Sequence, residues 1–172
     1  MKKTALLILI SLLFLYSQGQ KRSVDYTTSL TGFVAYQNTL PFWAINNKHG
    51  LIPNGNGALL EIGLFSDFTD RHKIQLAYGV SAAGFLSRPD NNIILDQLYA
   101  SARWRNLRLD LGMIHPKEEY NGVSSTNGNF VRSGNSRTFP GYNLNSEYMK
   151  IPCTKGVLSI KFNWADYMMI DD

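Results

Sequence analysis

Hydrophobic and polar residues alternate most cleanly in the stretch NNIILDQLYASARWRNLRLDLGM, from Asn91 to Met113. Its regular part, Ile93 to Met113, folds on paper into two strands if Arg105-Asn106 is a two-residue loop. Trp104 then lies opposite Leu107, Ala102 opposite Leu109, Ala100 opposite Leu111 and Leu98 opposite Met113. The intervening pairs are Arg103 with Arg108, Ser101 with Asp110 and Tyr99 with Gly112. One face is apolar, the other polar, and the period of two keeps its phase across the turn. This predicts an antiparallel hairpin.

Four further segments carry weaker versions of the same pattern. Ser29–Gln37 is a strand candidate, preceded by a polar leader from Lys21 to Thr28. Ala58–Ser66 places Ala58, Leu60, Ile62 and Leu64 on one face. Arg71–Ala83 places Ile74, Leu76, Tyr78, Val80 and Ala82 on one face, with Lys73, Gln75, Ala77, Gly79 and Ser81 on the other. That second face is small and polar, poor material for a core. In Gly156–Ala165, Leu158, Ile160, Phe162 and Trp164 oppose Ser159, Lys161 and Asn163. Thr39–Gly50 is irregular and compatible with a short helix or an extended segment, and 53–57 is a turn by composition.

The connections alternate in length: Asp67–Asp70 and Arg105-Asn106 are short, Gly84–Asn92 and Ile114–Tyr148 long. Within the last, Asn129–Ser133 or Asn145–Met149 is a candidate short strand. Successive connections of an up-and-down sheet lie at opposite ends, so short turns gather at one end and long loops at the other. The expectation is an all-β fold, an antiparallel transmembrane β-barrel of the outer-membrane type with its apolar face toward lipid. A secreted β-sandwich with that face inward accounts for the same alternation.

The first nineteen residues change the picture of where the chain works. Lys2 and Lys3, the apolar run Ala5–Tyr16 and Ser17-Gln18-Gly19 form the three regions of a signal peptide, with cleavage before Gln20. No cysteine follows to carry a lipid. The division is therefore residues 1–19 as signal peptide and 20–172 as the amino-terminal portion of the barrel domain. Removing two of the 17 basic residues leaves 15 against 13 acidic ones, a net charge of +2. That balance does not call for nucleic acid. A lone cysteine, Cys153, forms no internal disulfide.

No constellation for catalysis is visible. His49, His72 and His115 are scattered singly, and His115-Pro116-Lys117-Glu118-Glu119 lacks a second histidine for a metal. Ser133-Gly134-Asn135-Ser136 has no strand-turn-helix context for a nucleophile. Gly55 and Gly57 lack a phosphate-loop lysine. The polar face of the hairpin is more informative. Opposed Arg103 and Arg108 repel unless an anion or Asp110 intervenes, and guanidinium groups suit the carboxylates of an acidic sugar polymer. Lys73, Gln75, Tyr99, Arg103, Arg108 and Asp110 are the candidate polysaccharide-binding residues. A ladder of ion pairs that only stiffens the sheet explains the same residues. Trp104 and Trp164 suit membrane interfaces in a barrel and a core in a sandwich.

The chain resembles the Wzi family of capsule-assembly proteins in the version found in Bacteroidetes. The resemblance rests on LPFWAINNKHG at 40–50, QLYASARWRNLRLDLGM at 97–113, SGNSRTFPGYN at 133–143 and IPCTKGVLSIKFNWA at 151–165. It implies a non-catalytic outer-membrane barrel, without cofactor, that binds exported polysaccharide and assists capsule assembly or surface attachment. The partners it implies are surface or capsular polysaccharide, outer-membrane lipid, and further strands beyond this chain. Family members are longer, so the chain resembles their amino-terminal part, and Cys153 stands where a phenylalanine is expected. The alternatives are a porin-like transport barrel and a secreted β-sandwich adhesin or carbohydrate-binding module.

Overall fold

The computed structural model describes residues 23–46, 48–52, 55–69, 73–86, 91–116, 133–154 and 156–168. The residues read as a signal peptide, His72, Lys117–Glu119 and most of Asn129–Ser133 lie outside them. Among the described residues nine strands form: β1 (Val24–Phe33), β2 (Gly57–Ser66), β3 (Ile74–Leu86), β4 (Asn91–Trp104), β5 (Leu107–Met113), β6 (Gly141–Ser146), β7 (Met149–Lys150), β8 (Ser159–Ile160) and β9 (Asn163–Tyr167). A 3-10 turn at Tyr36–Asn38 and one helical turn at Phe42–Ile45 lie between β1 and β2. Thr39–Gly50 thus contains a helix, of a single turn, after Pro41 in extended conformation.

Seven strands form one antiparallel sheet in the order β1-β2-β3-β4-β5-β6-β9, and β7 pairs with β8 in a separate two-stranded ribbon. The fold is all-β, but the transmembrane barrel of the outer-membrane type expected from the sequence is corrected. Closure requires the two end strands to hydrogen-bond each other at a fixed stagger. Among the described residues β1 pairs only with β2 and β9 only with β6, so the sheet is open at both edges. With the barrel goes the outer-membrane assignment that rested on it.

The hairpin register is as the alternation requires. Trp104 pairs with Leu107, Ala102 with Leu109, Ala100 with Leu111 and Leu98 with Met113. Other boundaries moved. β1 begins at Val24 and ends at Phe33, so the polar leader from Val24 to Thr28 is itself strand. Its residues Asp25, Thr27, Ser29 and Thr31 are polar because the strand sits at an edge, and Ser29 donates to Glu61 Oε2 on β2. β3 continues to Leu86 and β4 starts at Asn91, which shortens the connection expected from Gly84 to Asn92. β6 lies within the region read as nearly patternless. The alternating run Gly156–Ala165 is divided between β8 and β9, in different sheets.

The two faces of the sheet invert the usual relation between polarity and burial. Leu30, Ile62, Leu64, Ile74, Leu98, Leu111 and Trp164 are exposed on the apolar face. Ser101 and Asp110 on the other face are buried, at 3% and 5% exposure, while Ser66 and Ser146, buried at 1% and 2%, stand in register with Tyr78 and Leu107 on the apolar face. Over part of this inner face lies a small hydrophobic core of Leu51, Leu59, Ala83 and Phe85, flanked by Phe33 and Ile52. Glycines make room for rings there: a Cβ at Gly79 would run into Tyr99 and Phe65, and one at Gly63 into Phe65. The Tyr99 ring therefore rests on Gly79, its partner on β3, rather than on Gly112.

One irregularity positions a second cluster of polar groups. Ser81 pairs with Gln97 while Ala82 pairs with Leu95, so Asp96 is an extra residue in β4. Such a bulge turns two successive side chains to one face. Gln97 is half-buried and Asp96 buried, whereas Leu95 and Leu98 on either side are exposed.

Candidate functional site

At the end of the sheet next to the β4–β5 turn, four of the six candidate residues meet. Arg103 and Arg108 are directly paired across the hairpin. Asp110, two positions beyond Arg108 on the same face of β5, accepts from Arg108 Nε at 2.7 Å. It also accepts from Ser101 Oγ and, at 3.3 Å, from Asn145 Nδ2 on β6. Gln75 on β3 accepts from Arg103 Nε at 2.8 Å and from a second guanidinium nitrogen. Each arginine thus has its own neighbour to relieve the repulsion: a carboxylate for Arg108, an amide oxygen for Arg103.

A residue the sequence reading did not select joins them. Both guanidinium groups lie over the Phe68 ring, Arg103 at 4.7 Å and Arg108 at 5.3 Å from its centroid. The ring's negative face attracts both cations, and it brings the turn after β2 onto the inner face of β3–β5. The available signal was a single aromatic residue in the polar turn Asp67–Asp70. Asn145 was seen only as the start of a candidate strand, Asn145–Met149, whereas it lies near the end of β6. Its register with Arg108 places it there.

The other two candidates stand apart from this cluster. Tyr99 lies four residues from Arg103 along β4, against Gly79. Burial raises its phenol above the ordinary 10.0, with Asp67 and Asp110 adding to the rise and Arg108 opposing it, so it is a neutral donor at physiological pH. Lys73 is exposed just before β3 begins.

The bulge builds a separate constellation at the other end of β5. His115 Nε2 lies 2.7 Å from Asp96 Oδ1, and the Gln97 side-chain oxygen accepts from the His115 backbone N–H at 3.2 Å. Ser81 Oγ donates to Asp96 Oδ2 at 3.1 Å, and Thr138 Oγ1 donates to the Asp96 backbone carbonyl. The His49 ring stacks on His115 with centroids 3.8 Å apart and planes tilted by 34°. Burial on its own pushes the Asp96 carboxyl up. Hydrogen bonds and charge from His115, with Ser81 and His49, more than offset it and hold the carboxyl below 3.8. Two histidines read as solitary are thus neighbours in space. The signal was the phase slip in Ile94-Leu95-Asp96-Gln97-Leu98, where the apolar outward positions are three residues apart instead of two.

Among the described residues no group of three or more His, Cys, Asp or Glu side chains is placed to hold a metal ion, and Cys153 is exposed. No helix among them is long and apolar enough to cross a membrane, which does not bear on strands. Comparison of the chain with family models, with curated proteins and with solved structures gave no match.

Proposed function

We propose that this is a non-catalytic exported protein that binds a surface polysaccharide, using the arginine cluster at the β4–β5 end of the inner face. The observation that carries the reading is the pair of guanidinium groups over Phe68, edged by the amides of Gln75 and Asn145 and the carboxylate of Asp110. Planar donors and acceptors beside an aromatic ring match the hydroxyl and carboxylate groups of an acidic sugar polymer. The strands beneath them are paired on both sides, so the groups are held in place before a ligand arrives. The signal peptide and the resemblance to Wzi-type capsule-assembly proteins point to the same kind of partner.

Replacing Arg103 and Arg108 together with glutamine keeps much of the side-chain volume and removes two charges. In the full chain, with unchanged circular dichroism, the double variant is expected to bind a uronic-acid polysaccharide about tenfold more weakly, a loss of about 1.4 kcal/mol. Wild-type binding is expected to weaken as salt is raised, since exposed charges are screened over about 8 Å at physiological ionic strength. Equal binding by both proteins at low and high salt would refute the arginine site and leave the ion-pair ladder as its role.

A further inference from the structure

The arginine pair belongs to a longer line of side chains. Cross-strand partners share a face of the sheet, and the registers link one such line across five strands. Gln75 on β3 pairs with Arg103 on β4, and Arg103 with Arg108 on β5. Arg108 then pairs with Asn145 on β6, and Asn145 with Asn163 on β9. Gln75, Arg103, Arg108 and Asn145 are half-buried and Asn163 is exposed. In the neighbouring row Ala77, Ser101 and Asp110 are buried, so the line from Gln75 to Asn163 is the one that meets solvent.

Strands lie about 4.8 Å apart, so the four steps from β3 to β9 cover about 19 Å. One step is close to the length of one sugar unit in an extended chain. The row is also graded in charge. Both guanidinium groups stand on β4 and β5, and carboxamides follow on β6 and β9. A carboxamide offers donors and an acceptor, which suits the hydroxyl groups of a neutral sugar and brings no charge for a second carboxylate. Resting on the reading of the arginine cluster as a polysaccharide site, we propose that this row is a track for about four consecutive sugar units, with an acidic unit at Arg103 and Arg108 and neutral units over Asn145 and Asn163. The ligand class is then a polymer whose acidic sugars are separated by neutral ones, rather than an unbroken run of uronic acids.

The test uses the full chain and the tetrasaccharide repeat of deacylated gellan, which holds one glucuronic acid and three neutral sugars. Its acidic disaccharide and tetragalacturonate are the comparisons, all titrated at an ionic strength of about 0.15 M. The tetrasaccharide is expected to bind about tenfold more tightly than the disaccharide, and tetragalacturonate no more tightly than the mixed tetrasaccharide. Asn163→Ala is expected to weaken tetrasaccharide binding about fivefold and so remove much of the gain with length. If that change disturbs the edge strand, Asn163→Thr, a better strand former, is read in the same way. Equal affinity for disaccharide and tetrasaccharide overturns the track, as does an Asn163 variant with undiminished tetrasaccharide affinity. Binding of tetragalacturonate without binding of the mixed tetrasaccharide also overturns it while the arginine site stands. If none of these sugars and no uronic-acid polysaccharide binds, both readings fall.

Discussion

Asp110 gathers contacts from three neighbours on the inner face. It serves Arg108, Ser101 and Asn145 while only 5% exposed. Asp110→Ala would strand those donors beside a half-exposed guanidinium, and the expected loss is about 3 kcal/mol, read from the urea midpoint. Gly112 is constrained by backbone rather than charge. Its φ is +106°, and a Cβ would collide with the Leu98 carbonyl, so Gly112→Ala is expected to cost about 1–3 kcal/mol in the same measurement. Asp96 makes stability depend on acid. Its folded carboxyl titrates below the unfolded 3.8, so the folded state binds fewer protons there. The contribution is fully present above that value and is lost as pH falls through the lower folded one. Asp96→Asn is expected to flatten the acid limb of a stability–pH curve in that window and lower stability at neutral pH.

The bulge in β4 is the element that separates the two polar clusters. Deleting Asp96 leaves Ser81 opposite Gln97 and Ala82 opposite Leu95 in a regular ladder, so β3–β4 pairing is expected to survive. The 133–138 segment, which Thr138 attaches to the Asp96 carbonyl, is expected to become protease-sensitive. Cleavage unchanged in rate would show that other contacts hold that segment. The same bulge marks how much the sequence disclosed. The hairpin was legible to the residue because both strands keep one phase through a tight turn. β1 was displaced because an edge strand can be polar on a face that the pattern reads as leader. β6, GYNLNS, offers a single aliphatic residue to any periodicity. The arginine pairing followed from register alone. Phe68, Asn145 and the His49–His115 stack depend on loops folding back, which local alternation does not encode.

For the molecule as a whole, the open sheet leaves its apolar face and two edges without a partner strand among the described residues. Contiguous exposed apolar area promotes association, and unpaired edges add to it. The chain in detergent-free buffer is expected to sediment with a size that grows with concentration, and a mild non-ionic detergent is expected to reverse this. A single concentration-independent species would contradict it. The inversion of the faces also shapes what drift the chain withstands. In most globular proteins the intolerant sites are large and greasy. Here a saturation scan scored for folding should find Leu30, Ile62 and Leu98 freely interchangeable with other bulky residues, while buried Ser101 and the ring-covered Gly63 and Gly79 reject almost any enlargement. The positions where variation is purged would then spell a polar, small-residue signature, and a profile of permitted substitutions would trace the inner face more sharply than hydrophobicity does.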